Sequence, residues 1–177
     1  MGIFFLLLLS CYSSFNFSIE SKANENVTEA FVIGKPLKKA SWETPPSVRV
    51  CISSEIQIYR VRAATRYWET IGYDFAQIYT DSSPLCMYPR HGEITITLPE
   101  GDMGAHNMAA TKIYTERVSG FIAKAMISIY PRYGRKERVL EHEFGHALGW
   151  SHYNKKFHIM NPSWQNGGYD HSGLRNN

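Results

Sequence analysis

Residues 142–164 read HEFGHALGWSHYNKKFHIMNPSW, and this stretch determines both the fold class and the chemistry expected of the chain. His142 and His146 are four residues apart, so on a helix their imidazoles lie on one face, one turn apart. Such a pair can bind one metal ion, and Glu143 can lie over that ion without ligating it. The stretch therefore predicts a metal-binding helix that carries an adjacent carboxylate.

The residues that follow this helix offer a third ligand. Gly149 is suited to end the helix, because glycine adopts the left-handed conformation at little cost. The chain can then reverse so that His152 supplies another nitrogen. Three neutral imidazoles leave a fourth position open for water, which is typical of a catalytic zinc site. We therefore expect one catalytic Zn²⁺ held by His142, His146 and His152.

The segment from His142 to His152, HEFGHALGWSH, resembles the zinc motif of the metzincin metallopeptidases. Eight residues further on, Met160 in the sequence HIMNP resembles the Met-turn of that clan. Within the clan the chain is most similar to the matrixin-like group. Tyr153 stands where matrixins have Ser, so the subfamily stays open.

This resemblance implies a zinc-dependent endopeptidase acting on a protein or peptide substrate. Glu143 would be the general base towards a water on the zinc and would pass the proton to the leaving amine. Met160 would form an apolar floor beneath the histidines. Pro162, Ser163 and Trp164 are candidate walls of the substrate pocket, although Trp164 is equally suited to the core.

Hydrophobic periodicity predicts the elements around the motif. Strands are predicted at 47–53, 74–80, 93–98, 109–115 and 121–130, and helices at 54–71 and 135–148. With the resemblance, they give an α+β, metzincin-like catalytic domain with a twisted, mixed five-stranded sheet packed on two helices. A small lower subdomain would follow the zinc-motif Gly149. By analogy with metzincins, the strand near 107–114 would hold an extended substrate by backbone pairing.

Length and composition are consistent with one globular domain. The chain has 177 residues, of which 44% are hydrophobic, and 19 basic residues against 16 acidic ones give a net charge of +3. This charge is too small and too evenly spread to indicate a nucleic-acid partner. We expect a monomer.

The N-terminus predicts export. The apolar run 3–9 is too short to span a bilayer but suits the core of a signal peptide. Two cleavage sites remain open: a lipobox that would make Cys11 a lipid anchor to a membrane, or cleavage after Ala23 that would release the chain. The protein is thus predicted to be secreted or a cell-envelope lipoprotein. The predicted divisions are a signal at 1–23, a linker or strap at 24–46, and the catalytic domain at 47–177.

The remaining cysteines and several polar residues are also assigned from the sequence. Cys51 and Cys86 could form a disulfide in an oxidising compartment or remain buried thiols. Glu141 is predicted to lie on the solvated helix face, and Tyr169 is a weak candidate for hydrogen bonding to the oxyanion. The other histidines are predicted to be surface or capping residues: His91, His106, His158 and His171.

Two alternatives to a peptidase stay open. One is a zinc hydrolase of a non-peptide amide, and the other is a non-catalytic peptide-binding shell with a metzincin-like fold.

Overall fold

The alternating segments form one mixed sheet in the structure, a computed structural model that describes residues 18–21, 34–104 and 107–175. The strands are β1 (Ser18–Ser21), β2 (Ser47–Cys51), β3 (Ile78–Asp81), β4 (Glu93–Thr97), β5 (Ala109–Thr115) and β6 (Ile122–Ile129). Their order across the sheet is β1-β5-β6-β4-β2-β3. β2 is parallel to β3 and β4, and β4 to β6, whereas β5 is antiparallel to β6 and to β1. The α+β class with a five-stranded mixed sheet, β2 to β6, is confirmed; β1 is an additional edge strand that the sequence did not predict.

The helices are α1 (Ile58–Glu69), α2 (Pro131–Gly134) and α3 (Val139–Ala147). The prediction that α1 begins at residue 54 was wrong, because a 3₁₀ turn at Ile52–Ser54 ends in Glu55 with φ of 57°. The prediction of one helix over 135–148 was also wrong. Arg138 has φ of 68°, a left-handed conformation that separates α3 from the short α2.

Two helices pack against each other and cover the sheet, with α3 lying over β5 and β6. Trp68 of α1 is fully buried at this helix contact, and its indole N–H donates to the carbonyl of Glu141, 2.8 Å away. A Cβ atom on Gly145 of α3 would lie only 2.8 Å from Cζ2 of Trp68. The absence of a side chain at residue 145 therefore lets α3 approach α1 closely.

Arg49 of β2 is a fully buried cation within the sheet. Its guanidinium forms ion pairs with Asp81 (3.2 Å) and Glu93 (3.0 Å). It also donates to the carbonyl of Tyr88 at 2.7 Å, and the hydroxyl of Tyr79 donates to Glu93 at 2.6 Å. This group, called the Arg49 cluster below, contains one cation and two carboxylates, so opposite charges meet within it.

Cys51, at the end of β2, is joined to Cys86 by a disulfide. Cys11 lies outside the described residues. β1 falls within the predicted signal segment 1–23. No helix in the described parts of the chain has the length and apolar character needed to cross a bilayer.

Candidate metal centre

Helix α3 brings the first two histidines together. His142 and His146 are one turn apart, their ring centroids are 4.7 Å apart, and their Nε2 atoms are 3.0 Å apart. The ring of His146 is buried, whereas His142 is partly exposed. The Nε2 atoms of both imidazoles therefore converge on one point, which is open to solvent on the side of His142.

The C-terminus of α3 turns the chain back and delivers the third histidine. The N–H of Trp150 donates to the carbonyl of Gly145, and the N–H of Gly149 donates to that of His146. These bonds form a Schellman motif, in which Gly149 has φ of 96°. His152 then places its Nε2 atom 3.1 Å from that of His146.

Residues 34–42, called the strap below, hold this turn in place. The N–H of Lys39 donates to the carbonyl of Gly149, and the N–H of Ser151 donates to that of Leu37, at 2.8 and 2.9 Å. A Cβ atom on Gly149 would collide with the carbonyl oxygen of Ala40. Gly149 is therefore required both for its backbone conformation and for the close passage of the strap. This part of the predicted 24–46 segment contacts the domain directly.

Backbone carbonyls fix the orientation of two histidine rings. Nδ1 of His142 lies 2.7 Å from the carbonyl oxygen of Ile159, and Nδ1 of His146 lies 2.7 Å from that of Trp150. A carbonyl oxygen only accepts hydrogen bonds, so each Nδ1 carries the proton. When these two rings are neutral, the Nε2 atom of each carries no proton and has a free lone pair. The lone pairs of His142 and His146 face each other.

Burial keeps the three imidazoles neutral. Desolvation lowers the pKa of His142 to about 4, with repulsion from His152 as a second cause. Desolvation likewise lowers the pKa of His152 to about 4, assisted by the positive charge of Lys39. The pKa of His146 lies well below its usual value, again mainly because of burial. A neutral imidazole is the form that binds a metal.

The donor set fits a zinc ion. One nitrogen of each histidine lies within 4.8 Å of the others, and the set contains no thiolate or carboxylate. Bare lone pairs about 3 Å apart repel unless a cation lies among them. Three imidazoles and outer carbonyl partners that hold the rings are what a catalytic zinc site requires.

Glu143 is buried next to the first histidine. Its Oε2 atom accepts a hydrogen bond of 2.5 Å from the hydroxyl of Thr111 on β5. Desolvation raises the pKa of Glu143 to about 7, and the bond from Thr111 opposes that rise. Sequence reasoning did not find Thr111, because no local pattern links β5 to a helix 32 residues further along the chain.

Met160 is fully buried beneath α3. A Cβ atom on Gly145 would collide with its sulfur, so Met160 fills the space directly under the helix between His142 and His146. Its carbonyl accepts a hydrogen bond from the N–H of Tyr153 at 2.8 Å, and the preceding residue, Ile159, is the partner of His142. Ile159 and Met160 thus form hydrogen bonds both to the ring of His142 and to the backbone of Tyr153, the residue after His152.

The pocket candidates lie beyond this turn. Pro162 is exposed, whereas Ser163 and Trp164 are half-buried. The indole N–H of Trp164 donates to the carbonyl of Glu137 at 3.0 Å, and Nζ of Lys136 lies 3.7 Å from its ring centroid. Trp164 therefore packs against the segment just before α3.

The prediction that Glu141 is solvated was wrong. Glu141 is buried, and both of its carboxylate oxygens bind the guanidinium of Arg60 on α1, at 3.0 and 2.8 Å. The face of α3 that carries Glu141 is turned towards α1, so this ion pair links the two helices.

Of the two roles predicted for His158, the surface position was wrong, because this ring is fully buried, whereas its contact with a backbone N–H agrees with a capping role. It accepts a hydrogen bond from the N–H of Met160 and lies 3.2 Å from the carbonyl oxygen of Ser172. His91 and His171 are exposed as predicted, and His106 is outside the described residues. Tyr169 is 48% exposed and lies against Tyr67.

Comparisons of the chain with protein-family models, with curated proteins and with solved structures find no match.

Proposed function

We propose that this chain is an exported, zinc-dependent endopeptidase with a metzincin-like, matrixin-like catalytic domain, and that it hydrolyses peptide bonds in protein or peptide substrates. The observation that carries the proposal is the convergence of three imidazole nitrogens, with the buried Glu143 next to His142 along α3. The position of Met160 under the ligand helix supports the same proposal.

A zinc ion held by His142, His146 and His152 would supply Lewis-acid polarisation of the scissile carbonyl. Glu143 would accept a proton from the attacking water and donate it to the leaving amine. Thr111, which donates to one carboxylate oxygen, would keep the Glu143 side chain in one orientation and leave the other oxygen for water. The carbonyls of Ile159 and Trp150 would hold two of the rings in place.

The substrate would bind as an extended strand on β5. A sheet edge offers alternating N–H and C=O groups that pair with any sequence, so this mode suits an endopeptidase with broad substrates. Side-chain preference would then come from pocket walls, for which Pro162, Ser163 and Trp164 remain the candidates.

The proposal is tested with the exported protein, whose N-terminus is first defined by mass spectrometry. We expect the wild type to cleave an unstructured protein, a strong chelator to abolish cleavage, and added zinc to restore it. The variant Glu143→Gln keeps the shape of the side chain. It should still bind about one zinc ion while its turnover falls by about 10²–10⁴-fold, the usual contribution of a general base.

Glu137→Gln is the matched control, because Glu137 is an exposed acid shortly before α3. It should cleave like the wild type. Equal cleavage by Glu143→Gln would contradict the mechanism. Zinc binding without peptide cleavage, but with turnover of small amides, would indicate the non-peptide hydrolase, and zinc binding without any turnover would indicate the inactive shell.

A further inference from the structure

The edge of β5 is occupied by the chain's own N-terminal strand. β1 pairs with β5 in antiparallel register, from Ser18 opposite Tyr114 to Ser21 opposite Thr111. The other side of β5 pairs with β6 over its whole length. Over residues 111–114, β5 therefore has a neighbouring strand on both sides.

The edge of β5 that β1 occupies ends at a residue that contacts the candidate catalytic centre. Ser21, the last residue of β1, lies opposite Thr111 in the register. The hydroxyl of Thr111 donates to the carboxylate of Glu143. β1 thus covers the part of β5 that extends up to the residue touching the proposed general base.

An edge strand has one free row of N–H and C=O groups, and only one extended segment can pair with that row at a time. A substrate binding to β5 would need the groups that β1 uses. We propose that β1 is an intramolecular occupant of the substrate edge and restrains the peptidase in every form of the chain that retains it. This inference rests on the proposed function.

The two N-terminal forms predicted from the sequence would then differ in activity. Cleavage after Ala23 removes β1, whereas a lipid-anchored chain that starts at Cys11 keeps it. A tethered segment has an effective concentration of about 1 mM, so an intrinsic dissociation constant of about 0.1 mM would leave the edge free about a tenth of the time. The anchored form would be restrained about tenfold, and the released form would not.

The test uses the full-length chain with a site-specific protease sequence in place of residues 26–32. The chain folds with β1 attached, and cutting it in the folded state lets β1 diffuse away. We expect kcat/KM on an unstructured protein to rise about tenfold after the cut, through a lower KM with kcat unchanged. A peptide of residues 16–23 should inhibit the cut protein competitively, and a scrambled peptide should not.

Two proline variants of the uncut chain separate strand pairing from other effects of the leader. Neighbouring residues of an edge strand point their N–H groups to opposite sides, so only one of Ile19→Pro and Glu20→Pro removes a donor that faces β5. That variant should reach the rate of the cut protein. Equal rates before and after the cut, with unchanged hydrogen exchange of the β5 amides, would overturn the inference but not the proposed function. If neither form cleaves, the proposed function fails, and the restraint fails with it.

Discussion

The Arg49 cluster and the three-histidine centre are two groups of polar side chains in this chain. They differ in the kinds of atoms that they bring together. In the Arg49 cluster, a cation is surrounded by two carboxylates and a carbonyl, so opposite charges meet. At the histidine centre, three imidazole nitrogens converge, and backbone carbonyls hold the outer Nδ1 atoms of His142 and His146. The first group contains its own counter-charges, whereas the second offers nitrogen atoms that could bind a metal ion.

The comparison gives a criterion for distinguishing structural from metal-binding polar clusters. A structural cluster contains both donors and acceptors, whereas a metal centre contains acceptors aligned on one point. By this criterion Glu141, which is matched by Arg60, belongs with the structural groups although it directly precedes His142.

The largest expected effect comes from breaking the histidine centre. His146→Ala should reduce zinc affinity about a thousandfold, because a protein zinc site is worth about 10–16 kcal/mol shared among its ligands. Zinc should raise the Tm of the wild type but not that of the variant. Competition with a chromophoric chelator measures the affinity. His91→Ala is the control, since His91 is exposed and paired with Glu116. Unchanged zinc affinity in His146→Ala would remove His146 from the ligand set.

Breaking the Arg49 cluster should affect stability and leave zinc binding unchanged. Arg49→Met leaves Asp81 and Glu93 without their counter-charge, so we expect the free energy of unfolding to fall by about 3 kcal/mol. Urea unfolding measures this loss. Adding Asp81→Asn and Glu93→Gln to Arg49→Met should restore part of it. If Arg49→Met instead reduced zinc affinity, the two clusters would not be independent.

An exposed ion pair gives the smallest expected effect. Lys155 lies 2.7 Å from Asp170, and this contact is the main cause that lowers the pKa of Asp170 to about 2. Because the pKa is lower in the folded state, the stabilisation is complete above the unfolded value near 4 and is lost as the pH falls through about 2. Both side chains are about one-third exposed or more, so solvent screening keeps the effect on stability small.

Urea unfolding of the wild type and Asp170→Asn between pH 6 and pH 2 measures this pair. The difference between the two proteins should be small and constant above pH 4, and it should disappear near pH 2. A difference that grew on acidification would show that the sign is wrong.

Local patterns were sufficient for most of the sheet. Apolar patterns predicted β4, β5 and β6 to within one residue at each end, because these strands pack against the core. The approach of His142 and His146 on one face of α3 was equally visible, since it depends only on the helical repeat. The strand patterns and the histidine spacing each depend on residues within a single continuous segment.

The features that sequence analysis missed depend on contacts between distant segments. The left-handed conformation of Arg138 occurs beside Trp164, which stacks on it from 26 residues further along the chain. The pairing of β1 with β5 and the bond from Thr111 to Glu143 are likewise long-range. Helix propensity and periodicity describe neighbours in sequence, so they could not predict any of these three features.

The strap also limits how far the N-terminus can be trimmed. It bonds to the turn that positions His152, and the indole N–H of Trp42 donates to the carbonyl of Ala147 at the end of α3. Proteolysis before residue 34 leaves these bonds intact, whereas a cut within the strap would release the turn. The predicted cleavage after Ala23 would therefore leave the turn intact, whereas a cut some ten or more residues further on, within the strap, would release it.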